Sequence, residues 1–219
     1  MQAVIFDMDG VIFDSENLVF QCWKIVAEKY GIKDVEAACR ECLGVNSVES
    51  KERFLKKYGE EFPYDEYKSE MSALYHQTAA TGGLELKPGI VELLTFLKNK
   101  KYRLAVASST RRAVVESQLQ NAGVLDFFDE IICGDMVKKS KPEPEIYLTA
   151  AEKIKADPKE CYAIEDSYNG IRSAYRAGMQ VIMVPDLLPP TEETKEKCCV
   201  ICDSLLEVTE FIQTTEAVK

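Results

Sequence analysis

Val4-Ile5-Phe6-Asp7-Met8-Asp9-Gly10, near the start of the chain, is the stretch from which the fold can be read. Three consecutive apolar, β-prone residues read as a strand buried on both faces, the kind that belongs inside a parallel sheet. Two carboxylates follow at once, two positions apart, and Gly10 frees the backbone to turn away. Open α/β sheets bind their ligands outside the carboxyl ends of their strands, so Asp7 and Asp9 stand where reactive groups belong.

Similar runs recur at Leu104-Ala105-Val106-Ala107, Ile131-Ile132-Cys133, Tyr162-Ala163-Ile164 and Val181-Ile182-Met183-Val184. Between them lie segments of helical period: Pro88 to Lys98, Thr110 to Ala122 stopped by Gly123, Glu143 to Ile154, and Asn169 to Ala177 stopped by Gly178. Strand and helix alternate, which predicts an α/β fold with a doubly wound parallel, Rossmann-like sheet. Parallel strands place the residues that follow them on one rim: Asp7 and Asp9 after the first, Ser108-Ser109-Thr110 after the second, Glu165-Asp166 after the fourth. Each acid alone reads as a helix cap. Together, four carboxylates in a partly desolvated cleft repel one another and call for a cation. Hard oxygen ligands with no histidine nearby favour Mg²⁺. The loop Lys138-Lys139-Ser140-Lys141-Pro142 falls on the same rim, and any of its three lysines has the charge to neutralise a nucleophile and an anionic substrate.

From Ser15 to about Gly83 no strand is apparent. Leu18, Cys22, Ile25 and Val26 keep helical spacing before Gly31, and Phe54, Leu55 and Tyr58 do so before Gly59. The expected organisation is an α/β core of residues 1–14 and 84–219 with an all-helical domain, 15–83, inserted after the first strand. Trp23, Tyr30 and Phe54 are assigned to packing of that insertion, and His76 to its surface.

The net charge of −10 argues against nucleic acid or an anionic membrane as partner. Eight cysteines in a chain that opens without a basic, signal-like segment point to a reducing cytoplasm and not to a disulfide scaffold. Cys39 and Cys42, and the trio Cys198, Cys199 and Cys202, lack the spacing of a zinc ribbon and read as buried or incidental thiols.

Asp7-Met8-Asp9-Gly10-Val11, Ser108-Ser109-Thr110, Lys141-Pro142 and Glu165-Asp166-Ser167 resemble, in order and spacing, the four motifs of the haloacid dehalogenase-like superfamily. The insertion resembles the α-helical cap of the subgroup containing β-phosphoglucomutase and many sugar-phosphate phosphatases. The resemblance implies a Mg²⁺-dependent phosphatase acting on a small phosphorylated metabolite such as a sugar phosphate, working as a monomer or weak homo-oligomer. Asp7 would be the nucleophile, forming an aspartyl-phosphate. Asp9 would protonate the leaving oxygen and then activate water. Lys141 is the lysine that matches the family pattern. Asp166, with Glu165 assisting, would hold Mg²⁺ beside an Asp7 oxygen and the Asp9 carbonyl. Gly10, Ser108 and Ser109 would contact the phosphoryl group.

Asp14-Ser15-Glu16 reads as the start of a helix and resembles the entry to the cap. Gly44 and Asn46, in Leu43-Gly44-Val45-Asn46, resemble the cap loop that sets substrate preference, although a turn between helices explains them equally. Arg111 or Arg112 is a candidate for a distal substrate phosphate. A mutase shares all four motifs, but β-phosphoglucomutases carry a histidine and a lysine where this chain has Val19 and Leu43. A non-catalytic binding protein would be expected to have lost motif acids that are all present here.

Overall fold

The computed structural model of the chain describes residues 2–42 and 47–217. After β1 (Ala3–Phe6) come four helices, α1 (Ser15–Lys29), α2 (Val35–Glu41), α3 (Ser47–Tyr58) and α4 (Tyr64–Ala80). Strand and helix then alternate through α5 (Ile90–Asn99), β2 (Arg103–Ser108), α6 (Arg112–Asn121), β3 (Glu130–Cys133), α7 (Glu145–Lys153) and β4 (Cys161–Glu165). The chain continues through α8 (Tyr168–Arg176), β5 (Gln180–Met183), α9 (Glu192–Lys197), β6 (Cys198–Ile201) and α10 (Leu205–Ala217). Two compact units result: Met1–Asp14 with Glu85–Lys219, and Ser15–Leu84.

The strands form one parallel sheet in the order β3-β2-β1-β4-β5-β6. This is the doubly wound sheet that the alternation predicts, with one strand more than the sequence revealed. Cys198-Cys199-Val200-Ile201 drew attention as a cysteine cluster; its apolar run forms the edge strand β6. The helix after Pro88 also starts later than expected, at Ile90, because Gly89 takes φ +88° as its N-cap.

β1 lies at the centre of the sheet and all four of its residues are fully buried. Phe6 pairs with Val106 on one side and Ile164 on the other. Small residues on the flanking strands, Ala105, Ala107 and Ala163, leave room for Ile146, Tyr147 and Ala150 of α7 to close over the sheet. Successive connections run outward in opposite directions from β1 and β4, so a crevice opens between their carboxyl ends, where such folds bind ligands.

The chain's departure and return at the helical insertion are stitched together inside the α/β unit. The Asp14 N–H donates to the Glu85 carbonyl at 2.9 Å and the Lys87 N–H to the Ile12 carbonyl at 2.9 Å. The Lys87 ammonium adds an ion pair with Asp186 at 2.8 Å and lies 3.7 Å from Asp14.

The helical unit has its own aromatic core. Phe54 and Tyr67 are fully buried, their rings lie 4.9 and 5.4 Å from that of Trp23, and the Tyr67 hydroxyl donates to the Trp23 carbonyl at 2.8 Å. Phe54→Ala should cost this unit about 3–5 kcal/mol, the usual penalty for a buried aromatic ring. Trp23 is the only tryptophan. Its fluorescence should therefore report unfolding at lower denaturant in the variant; an unchanged midpoint would contradict this packing.

Candidate active site

Strand pairing creates the site. The Asp7 N–H donates to the Ile164 carbonyl at 3.0 Å, which continues the β1–β4 ladder one residue past Phe6 and brings Asp7 beside Glu165. Two carboxylates so close repel unless a cation joins them. The Lys141 ammonium does so, 2.6 Å from Asp7 Oδ1 and 2.6 Å from Glu165 Oε1. Lys138 and Lys139 are exposed, and their backbone N–H groups donate to the Glu145 carboxylate. Of the three lysines open from spacing alone, Lys141 is the one at the acids.

Glu165 is wholly buried. Its Oε1 also accepts from the Tyr147 hydroxyl at 2.7 Å, and its Oε2 accepts from the Ser167 hydroxyl at 3.0 Å and the Ser167 N–H at 3.3 Å. A carboxylate has about four acceptor positions, and protein donors fill all four here. Asp166 packs against Gly10, where a Cβ would stand 2.4 Å from Asp166 Oδ2. Carboxylate oxygens of Asp7, Glu165 and Asp166 lie within 4.8 Å of one another. Among the described residues, this is the one place where three potential metal-ligating side chains converge.

The Asp9 side chain turns toward the loop after β2, where the Thr110 hydroxyl donates to its Oδ2 at 3.3 Å. In that loop Ser108 is fully buried and its Oγ accepts from the Thr110 N–H at 3.1 Å. Accepting in this way leaves the Ser108 hydroxyl its own proton to donate. Ser109 is exposed on the rim, and Gly134 approaches its carbonyl so closely that a Cβ there would collide with it. Arg111 is exposed at the start of α6, while the Arg112 guanidinium pairs with Glu116 at 2.7 Å. Gly44 and Asn46 lie outside the described residues.

Burial drives the Asp7 carboxyl upward, and Glu165 and Asp9 add to the shift; Lys141 opposes it, leaving Asp7 at about 7. Burial pulls the Lys141 ammonium down, but Asp7 and Glu165 more than offset this and hold it above its ordinary value. Burial, reinforced by Glu165, raises Tyr147 well above the usual phenol range, so its hydroxyl remains a donor. One ammonium thus pairs with two carboxylates of a cluster that Asp166 joins, and a bound divalent cation fits the hard-oxygen donor set.

Tyr147 escapes the sequence reading altogether, and Thr110 and Ser167 stand there within their motifs without a role assigned to either hydroxyl. Tyr147 shares helical spacing with Ile146, Ala150 and Ala151 and reads as a core residue, with nothing local to indicate a partner for its hydroxyl. Ser167 follows an acid and precedes a helix, which marks it as an N-cap: its Oγ accepts from the Gly170 N–H at 3.1 Å.

Residues 4–184 match the model for the haloacid dehalogenase-like hydrolases, so the chain belongs to that family. It is 35% identical over 195 residues to the phosphorylated carbohydrates phosphatase of Thermotoga maritima, covering 83% of this chain and 84% of that protein. It is also 35% identical over 192 residues to the β-phosphoglucomutase of Bacillus subtilis, covering 84% and 83% respectively. A crystal structure of a provisionally designated β-phosphoglucomutase from Thermotoga maritima superposes with a TM-score of 0.81 at 30% identity, over 98% of this chain and 99% of that one.

Gly170 provides the sharpest test of the geometry, since a Cβ there would lie 1.8 Å from Glu165 Oε1. Helix propensity alone makes Gly→Ala stabilising by about 1 kcal/mol. Overpacking against a pinned carboxylate should reverse the sign, so that Gly170→Ala destabilises by about 1–3 kcal/mol. Denaturant unfolding measures it, and a stabilised variant would refute the placement of Glu165.

Proposed function

We propose that this enzyme is a Mg²⁺-dependent phosphatase of small phosphorylated metabolites, sugar phosphates in particular, working in the cytoplasm through an aspartyl-phosphate. The observation that carries the reading is the Lys141 ammonium held against Asp7 at 2.6 Å, at the mouth of the β1–β4 crevice. The T. maritima phosphatase relative supports the substrate class.

Asp7 Oδ1 is oriented by Lys141, which leaves its other oxygen to attack phosphorus as nucleophile. Asp9, held by Thr110, delivers a proton to the leaving alcohol and later withdraws one from the water that hydrolyses the aspartyl-phosphate. Lys141 stabilises charge on the phosphoryl oxygens as it develops, and the Ser108 hydroxyl and the N–H groups of the Ser108–Thr110 loop are donors to the same oxygens. Asp7 and Asp166 are the side chains that would hold Mg²⁺, with Glu165 contributing its charge from beneath. When bound, the ion offsets the negative charge of the acids and of the phosphoryl group.

Mg²⁺ binding should be visible without turnover. Because Asp7 is raised from 3.8 to about 7, the folded protein without metal holds a proton that the unfolded chain has released, and stability falls as pH rises across that window. Above it, Asp7 is ionised and ready to bind a cation. Thermal unfolding should therefore show a Mg²⁺-induced rise in Tm that is larger at pH 8 than at pH 6. Asp166→Asn should abolish most of that rise; an undiminished rise would remove Asp166 from the metal set.

For the chemistry, Asp7→Asn should eliminate turnover of p-nitrophenyl phosphate, and Asp9→Asn should reduce it about a hundredfold or more. Label from substrate should be trapped on Asp7 alone. Val19 and Leu43 offer neither a titratable nor a cationic side chain where β-phosphoglucomutases carry histidine and lysine. Water is then the acceptor. Incubation with β-glucose 1-phosphate and a trace of the 1,6-bisphosphate should release mainly inorganic phosphate. Glucose 6-phosphate as the main product would make the protein a mutase.

A further inference from the structure

We propose that Tyr147 is a positioning residue for phosphoryl transfer: by saturating Glu165, its hydroxyl keeps the Lys141 ammonium on the nucleophile. The inference rests on the catalytic reading of Asp7 and Lys141 above. Lys141 is held between two carboxylate oxygens at equal distance, 2.6 Å each. How it divides between them depends on how strongly each carboxylate demands a donor. Glu165 has no solvent to turn to, being 0% exposed, so any acceptor position left empty has only the ammonium to draw on.

Three other donors meet that demand. The Ser167 hydroxyl and N–H fill Oε2, and the Tyr147 hydroxyl at 2.7 Å shares Oε1 with the lysine. The Tyr147 ring also lies beneath the same ammonium, with Nζ 5.1 Å from its centroid, within range of a cation–π contact. One side chain therefore touches both members of the Lys141–Glu165 pair. Replacing tyrosine with phenylalanine keeps the ring and the packing of α7 and removes only the donor. Glu165 Oε1 then has a single partner and draws Lys141 away from Asp7.

The test uses the full chain with saturating Mg²⁺ and p-nitrophenyl phosphate, comparing wild type, Tyr147→Phe, Glu165→Gln and the double variant. Losing one charge-assisted hydrogen bond should lower kcat of Tyr147→Phe about tenfold with KM changed less than about twofold. Acylation of Lys141 by acetic anhydride, read by peptide mass spectrometry, should be several-fold slower in Tyr147→Phe, since the ammonium, 8% exposed in the wild type, is drawn deeper onto the wholly buried Glu165. With Glu165 neutral there is no competing charge to satisfy, so in the Glu165→Gln background Tyr147→Phe should alter neither kcat nor the acylation rate. A purely structural tyrosine would act equally in both backgrounds. Unchanged kcat and Lys141 protection in Tyr147→Phe, or equal effects in both backgrounds, would overturn the proposal. A wild type that hydrolyses no phosphate ester would refute the phosphatase reading alone, because the acylation arm decides the role of Tyr147 without turnover.

Discussion

One buried ammonium shared by two carboxylates organises the α/β unit. Parallel pairing of β1 with β4 sets Asp7 and Glu165 side by side at the carboxyl edge, in a crevice from which solvent is largely excluded. Without a counter-charge, at least one of them would take up a proton. Lys141 eases that conflict by pairing with both, although burial still holds Asp7 at about 7. Breaking such a buried arrangement by deleting one member typically costs about 3–5 kcal/mol, because an uncompensated charge remains. The rest of the rim can be understood as the support this cluster needs: Tyr147 and Ser167 complete Glu165, and α7 carries Tyr147 to it from the loop that holds Lys141.

The acids also depend on where side chains are missing. Gly10 turns at φ +79° and leaves the space that the Asp166 carboxylate occupies, while Gly170, inside the first turn of α8, leaves the space for Glu165. Helix propensity disfavours glycine at that second position, and the preference gives way to the requirement for a carboxylate against the helix backbone. Geometry at the site is therefore set from two directions, by hydrogen bonds that pull the acids into place and by bare backbone that admits them.

Much of this was legible in the sequence for identifiable reasons. Val4-Ile5-Phe6 and the other apolar runs mark buried strands because a parallel sheet covered on both faces tolerates little else, and the acids directly after them fall on one rim by topology alone. β6 was hidden, since an edge strand of two cysteines, a valine and an isoleucine follows the charged helix α9 and lacks the fully buried character of the central strands. Selection of Lys141 over Lys138 and Lys139 needed the resemblance, because spacing along a loop does not fix which side chain turns inward. Tyr147 was invisible for a different reason: a tyrosine at a core-facing helical position reads as packing, and the partner of its hydroxyl lies 18 residues away on another element. Long-range polar contacts leave no periodic trace.

The arrangement of Asp7, Asp9 and Lys141 is indifferent to what finally accepts the phosphoryl group. In the proposed mechanism Asp9 would withdraw a proton from water or from a sugar hydroxyl, and Lys141 would neutralise the same phosphoryl oxygens in either case. Relatives named as a phosphatase and as a mutase stand at equal identity to this chain. Since the shared α/β chemistry does not separate them, discrimination has to come from whatever holds an alcohol against the aspartyl-phosphate long enough to compete with water. Water is small and abundant, and it wins by default when nothing orients a competitor. A sugar wins only if bound groups hold it in an attacking geometry, an advantage that depends on contacts to parts of the molecule remote from the reacting hydroxyl. Val19 and Leu43 are apolar residues where the resemblance to β-phosphoglucomutases implies a histidine and a lysine. Hydrolysis is the outcome that requires nothing further of them.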